Sequence, residues 1–318
     1  MTIGKSHALI VLPPLAADSV QDRGTGRWLA RASVRRQQAP ASDLDRLLNE
    51  LGLERPVSGL AALRLWGQTG ERPDDWIAAA DPVFLEARLD RVHLHALPEN
   101  DLPDKDLGPL YDDLGRELPE DAGHAVRRVG HCGYLVRDAA IAAAALPPAA
   151  IDGFRLDDFL PAGDAAEYLA LVGEIQTMLH HHPVNAARQE RGRLPVNSLW
   201  IWGGGHVPEP LAAKLPMLFS DEPLSRGYWH GADAPCEGWP GTITDCVDAS
   251  GRGFAAVVPE ADAPMLGHHL RELLKLHRRR ILSRITLVFR NGIVVERRRW
   301  HALRVWRRYQ RVMAGVQA

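Results

Sequence analysis

The apolar positions of the chain fall into short blocks with two periods, which predict an alternation of strands and helices. HALIVLPPL, from His7 to Leu15, is a continuous apolar run of strand length and reads as a first, buried strand. In ASDLDRLLNELGL, Leu44, Leu47, Leu48 and Leu51 recur at helical spacing, with Ser42 or Asp43 as cap and Gly52 as stop. The second half of DPVFLEARLDRVHLHAL sets Val92, Leu94 and Leu97 against His93 and His95, the alternation of a half-buried strand. PENDLPDKDLGPLYDDLGRELPEDAG is acidic and Pro-rich, and predicts a loop around one short helix and a candidate hinge. AAIAAAALPPAAIDGF reads as a connection between lobes, because Pro147 and Pro148 end any helix there. GDAAEYLALVGEIQTMLHH is the clearest helix. Asp164 and Glu167 have capping-box spacing, Tyr168, Leu171, Val172, Ile175, Met178 and Leu179 form one stripe, and Pro183 stops it.

The last segment differs. ITLVFRNGIVVERRRW places two β-rich runs around Asn291–Gly292, a strong hairpin pattern. HALRVWRRYQRVMA then reads as a helix with Leu303, Trp306, Tyr309 and Met313 toward one side. The expected fold is α/β, a central mixed sheet flanked by helices with a C-terminal hairpin and helix. Three consecutive parts are expected: an N-terminal α/β lobe (1–150), a second lobe (151–270) and a basic tail (271–318).

Composition changes this picture little. At 318 residues, 46% apolar and 25% charged, the chain is an ordinary globular sequence able to bury a sizeable core. Three cysteines form no disulfide framework and suit a reducing, cytoplasmic setting. The N-terminal apolar run is too short for a membrane span. Charge is more informative. Net charge is −2, but residues 271–311 carry fourteen Arg or Lys against two acids, so +12 sits there and −14 on the rest. That tail either follows a nucleic-acid phosphate backbone or, as favoured here, pairs with the acidic body and covers apolar surface.

Candidate chemistry concentrates in HHHPVNAARQERGRLPVNSLWIWGGGH, from His180 to His206. SLWIW alternates, with Trp200 and Trp202 to one face and Leu199 and Ile201 to the other, and runs straight into Gly203, Gly204 and Gly205. A strand opening into a glycine loop is a common ligand site in α/β proteins, since backbone N–H groups can face an anion. His182, Asn185, Arg188, Asn197, Trp202, the three glycines, His206 and, further on, Arg226 are therefore the candidate ligand-binding set, with Arg191 a further forked donor. The competing reading is a tight turn under two core tryptophans, with the arginines solvated. The pattern is neither GxGxxG nor GxxxxGK[ST]. Three adjacent histidines point about 100° apart on a helix and do not share one ion, so no metal and no cofactor are expected. Cys132, beside His131 in GHCGYL, reads as a small buried residue more than a nucleophile.

HHPVNAARQERGRLPVNSLWIWGGG resembles a segment of the archaeal-type cofactor-independent phosphoglycerate mutases, and together with DPVFLEARLDRVHL and LFSDEPLSRGYWHGA the chain is similar to the RpfE-type regulatory proteins of proteobacteria. That resemblance implies a degenerate core of the alkaline-phosphatase and phosphoglycerate-mutase type. Mutase chemistry needs two divalent metals held by Asp and His, and a hydroxyl nucleophile. The family's Asp–Gly after the first strand is replaced by Pro13–Pro14, and Asp152–Gly153 lies far downstream. Phe84 stands where the family has a histidine, and the Gly–Asp–His metal segment is absent, with Gly231–Ala232–Asp233 a poor substitute. The expectation is a regulatory protein without mutase catalysis, binding a small phosphorylated ligand or a protein partner. The alternatives are an active mutase or phosphatase using Asp221, His230, Asp233 and Asp245, and a nucleic-acid-binding regulator working through the basic tail.

Overall fold

The computed structural model describes residues 6–304 apart from 17–18, 21, 38–39, 90, 119–123, 164, 210–213 and 252. The chain divides into two compact units. One consists of residues 1–39, 43–55 and 210–318, and the other of 40–42 and 56–209. This is not a division into three consecutive parts. The reason lies in strand pairing: β1 (His7–Leu12) lies between two strands from the far end of the sequence.

The first unit is built on a seven-stranded sheet in the order β2-β12-β11-β1-β10-β8-β9. Beside β1 it contains β2 (Ser33–Arg36), β8 (Met217–Ser220), β9 (Cys236–Glu237), β10 (Phe254–Val257), β11 (Arg284–Phe289) and β12 (Ile293–Arg298). β9, β8, β10, β1 and β11 run parallel, while β12 and β2 add an antiparallel edge. Every residue of β1 is buried, as a strand covered on both faces requires. Ala8, Ile10 and Leu12 pack in one core with Trp28 and Leu29 of α1 (Arg23–Ala30), Ile243 and Cys246 of α8 (Ile243–Ser250), and the leucines of α9 (Leu266–Arg278). On the other helices of this unit, α2 (Asp43–Leu51) packs against β1, and α7 (Pro223–Gly231) against β8. The predicted helix and its leucine stripe are found in α2, where Leu44, Leu47, Leu48 and Leu51 are buried.

The hairpin predicted from ITLVFRNGIVVERRRW is β11–β12. Its turn is not the two-residue form that Asn–Gly suggests. Gly292 takes φ +83° and its N–H bonds Phe289 O at 2.9 Å, while the Asn291 side chain reaches out to Leu15, accepting from its N–H and donating to its carbonyl. The following residues Arg299–Leu303 form a 3₁₀ turn; most of the predicted C-terminal helix, including Trp306, Tyr309 and Met313, lies outside the described residues.

The second unit centres on β3 (Trp76–Arg88), which pairs antiparallel with β4 (Arg91–Ala96), β6 (Cys132–Arg137) and β7 (Ser198–Gly205); β5 (His124–Val129) pairs with β6. Its helices are α3 (Leu60–Thr69), α4 (Asp104–Glu117), α5 (Ala166–His180) and α6 (Pro183–Glu190). α5 is the predicted clear helix, with Tyr168, Leu171, Ile175 and Leu179 buried. Asp164 of its expected capping box is not among the described residues. Pro183 stops α5 and opens α6, at the one helical position where its missing N–H costs nothing. The expected hinge is instead largely helical: α4 buries Leu107, Leu110, Tyr111 and Leu114, and Pro109 is carried within it.

Candidate functional site

In the conspicuous run from His180 to His206, in the second unit, the polar side chains singled out by sequence have partners within the chain. His182 caps α6, its Nδ1 accepting from Val184 N at 3.2 Å, while Nε2 lies 3.0 Å from Asp113. Asn185, 5% exposed, ties the end of α5 to the strand entry: its amide donates to Leu179 O and Val196 O, and its oxygen accepts from Val196 N, all at 2.8 Å. Asn197 acts as an extra backbone rung, accepting from Leu85 N at 2.7 Å and donating to Leu85 O at 2.9 Å.

Arg188 is fully buried, and its donors are spoken for. Nε donates to Leu194 O (2.9 Å), Nη1 to Asp101 O (2.7 Å) and Asp106 Oδ2 (3.1 Å), and Nη2 to Asp101 Oδ2 (3.1 Å). Arg191 also donates to both oxygens of Asp106. The expected anion is thus an internal one, supplied by two aspartates of the acidic segment more than eighty residues upstream.

The glycines do not open a loop. Gly203, Gly204 and Gly205 continue β7 and lie against the start of α3. A Cβ on Gly205 would stand 2.5 Å from Gly59 N, and one on Gly203 3.0 Å from Ala61 N; Gly203 also has φ +66°. Gly59 N bonds Gly204 O at 3.0 Å. Glycine is required because two backbones meet there. His206 is exposed, its Nδ1 3.0 Å from Asp74 O. Arg226 belongs to the first unit, on α7, where Nη1 donates to Ser220 O at 3.3 Å.

Trp202 leads to a network absent from the sequence-based expectations. Its Nε1 donates to Asp81 Oδ2 at 2.8 Å, and Arg64 of α3 grips the same carboxylate with two bonds of 2.6 and 2.9 Å. Arg64 also donates to Tyr134 Oη and Gly133 O, and its guanidinium stands 4.7 Å from the Tyr134 ring centre and 5.1 Å from that of Trp202. Burial works against the Arg64 charge, but Asp81 outweighs it and holds the guanidinium protonated. Phe84, three residues on, stacks against His95. Cys132 nearby is pushed up to about 11 by burial, so it is a thiol at neutral pH and a poor nucleophile.

In the first unit the carboxyl ends of the parallel strands form the edge where open α/β sheets hold ligands. At that edge stands Arg290, the residue after β11. Its guanidinium bonds Asp43 (2.8 Å at the shortest) and Glu260 (2.9 Å) and donates to Val258 O. Its backbone N–H bonds Leu12 O, so it sits directly beside the end of β1, where Pro13–Pro14 follow. Several of the acids near these strand ends are also in use. Asp221 accepts from Trp239 N, and Asp262 from Trp239 Nε1. Glu222 caps α7 through Leu224 N and Ser225 N, and burial raises its carboxyl above the usual range. Asp233 follows α7, its backbone N–H donating to His230 O, and Asp245 pairs with Thr242 at the start of α8. No group of three or more His, Cys, Asp or Glu side chains suited to hold a metal ion exists among the described residues. No described helix is long and apolar enough to cross a membrane.

The molecule is thus an α/β protein whose larger sheet is mixed and flanked by helices. Its curated relatives are 2,3-bisphosphoglycerate-independent phosphoglycerate mutases. That of Methanosarcina acetivorans is 35% identical over 121 residues, 36% of this chain and 30% of that protein. That of Methanothrix thermoacetophila is 28% identical over 166 residues, 48% of this chain and 42% of that protein. The matches span less than half the length of these relatives, and they support a phosphoglycerate-mutase-like ancestry. No family model matches the chain. Among solved structures, the PH0037 protein from Pyrococcus horikoshii shares the fold, with TM-score 0.53 at 12% identity over 93% of this chain and 88% of that one. The cofactor-independent phosphoglycerate mutase from Thermoplasma acidophilum aligns with TM-score 0.43 and 19% identity over 93% and 90% of the two chains.

Proposed function

We propose that the protein is a non-catalytic, regulatory descendant of a phosphoglycerate-mutase-like ancestor, of the RpfE type, which works by binding a small phosphorylated ligand or a protein partner. The observation that carries this reading is the Arg290 guanidinium between Asp43 and Glu260. Phosphoryl transfer relies on positioned cations that bind the transferring group and stabilise its charge. A guanidinium already neutralised by two carboxylates holds its charge in place but has little left for a substrate. The proline pair after β1 removes the acidic position that the mutases carry there. The Asp221, His230, Asp233 and Asp245 needed for an active alternative lie at β8's exit, on α7, just after α7 and on α8, with Asp221 and Asp245 engaged in local bonds. The test is elemental analysis of purified protein, paired with mutase and phosphatase assays with and without manganese. Metal-poor, inactive protein is expected; stoichiometric metal together with turnover would establish the active mutase instead.

A further inference from the structure

The basic tail contributes to a cleft that the reading above does not use. It lies in the first unit between α1, the end of α9, and β12 with the 3₁₀ turn that follows, and encloses about 740 Å³. Six of its lining residues are arginines: Arg27, Arg31, Arg278, Arg280, Arg297 and Arg299; none is acidic. β12 runs antiparallel to β11 and sets Arg298 beside Arg284, so Arg297 stands near the amino ends of the parallel strands. This is the opposite edge from Arg290.

Arg297 is the informative residue. It follows Ile293 and Val295 on the inward face of β12, where alternation calls for another apolar side chain. It is 3% exposed, yet its Nε and Nη1 have no hydrogen-bond partner, and among the described residues no carboxylate lies within ion-pair distance. The charges that bear on it are like charges. Burial, then Arg31 and Arg304, lower its guanidinium to about 10. The indole Nε1 of Trp28, 5% exposed on the same cleft, is also buried without a partner. Unpaired buried donors cost free energy, and an unpaired buried charge costs several times more. Among the described residues, the buried guanidinia of Arg188 and Arg64 bond carboxylates directly, and that of Arg46, two of whose nitrogens also lack a hydrogen-bond partner, still has Asp43 at 3.9 Å.

We propose that this cleft is a binding site for a small molecule bearing two or more phosphate groups, with Arg297 and Trp28 at its floor and Arg27 and Arg278 at its rim. The chemistry favours phosphate. A phosphate monoester brings a charge of about −1.5 to −2 at neutral pH and several acceptor oxygens, which suit forked guanidinium donors. Six arginines exceed what one carboxylate can offset. The depth favours a small molecule: a guanidinium 3% exposed is reached by a terminal phosphate entering the cleft, not by a polymer backbone lying across the surface. The site does not require the loss of catalysis proposed above, and either proposal can fail alone.

The test is isothermal titration of the full chain with inorganic triphosphate at physiological salt, with a DNA duplex and single-stranded RNA as competitors. Saturable binding near one per chain is expected. Arg297→Met should weaken it by about ten- to a hundred-fold, the loss of one charge-assisted contact set. Arg27→Ala with Arg278→Ala alters exposed positions only and should weaken it without disturbing the fold, whereas Arg36→Ala with Arg279→Ala, outside the cleft with the same charge change, should leave it unaltered. No saturable binding, or equal weakening by the two exposed pairs, overturns the proposal. Nucleic acid bound more tightly than triphosphate per phosphate would also overturn it and make the tail a polymer site.

Discussion

Arg188 and Arg297 are both arginines that folding has taken out of water, and the two units treat them in opposite ways. Arg188, 0% exposed, meets two aspartates and two carbonyls and serves as a rivet between α6 and the acidic segment that runs into the first turn of α4. Arg297, 3% exposed, meets arginines. Burial of an arginine alone therefore does not separate framework from function. What separates them is whether the chain itself supplies the counter-charge. A saturated guanidinium is spent on structure, and one left unsaturated stores an unfavourable term that a ligand can relieve.

Four measurements sharpen or break this contrast. The largest effect is expected from Arg188→Met, which removes the fully buried cation between Asp101 and Asp106, leaving them only Arg193 and Arg191, and should destabilise the protein by about 3–5 kcal/mol, read by denaturant unfolding or hydrogen exchange over α6. Next is acid sensitivity of the first unit. His7, 6% exposed and 2.9 Å from Thr286 Oγ1, is held at about 4, chiefly by burial and then by Arg284. Its unfolded form takes up a proton near pH 6.5 while the folded form does not until about pH 4. Its stabilising contribution is therefore complete above pH 6.5 and lost as pH falls toward 4. The loss is on the order of 3 kcal/mol, and His7→Gln should flatten that part of the stability–pH curve relative to wild type. Third, Asn197→Ala removes both bonds to Leu85 and should cost about 1–2 kcal/mol, with faster exchange confined to the β3–β7 pairing. The smallest effect, and the most telling, is Arg297→Met. Without ligand it should be neutral or stabilise the protein by up to about 2 kcal/mol, because it replaces an unpaired buried charge with apolar volume. A loss as large as that of Arg188→Met would show that Arg297 is framework after all.

These contrasts were only partly legible in the sequence. Elements that declare themselves by local pattern were readable: the apolar run of β1, the leucine stripes of α2 and α5, and the β11–β12 hairpin. α1 was not, since RGTGRWLA carries two glycines and few apolar residues. Nor was α3, whose N-terminal Gly59 gives no side-chain cap. The glycines after Trp202 look like a loop because nothing in the sequence shows that α3 presses its backbone against them. Arg188 looks like an anion-binding residue because its partners, Asp101 and Asp106, sit in a remote segment that reads as solvated linker. The order of units was hidden for a related reason, as parallel pairing joins strands from opposite ends of the chain. Arg297 did leave a trace, an arginine at an inward position of an alternating strand, but ERRRW reads first as a block of surface charge.

The place of β1 has a consequence for how the chain comes to be folded. His7 meets Thr286, 279 residues further on. At ribosomal speeds of about 5–20 residues per second, the first strand waits roughly 15 to 55 s before β11 exists to lie beside it. All contacts of the second unit, from residues 40–42 and 56–209, can form within that interval. Until β10 emerges, HALIVL is a largely apolar strand with both edges unpaired, the kind of segment that associates with other nascent chains or is shielded by a chaperone.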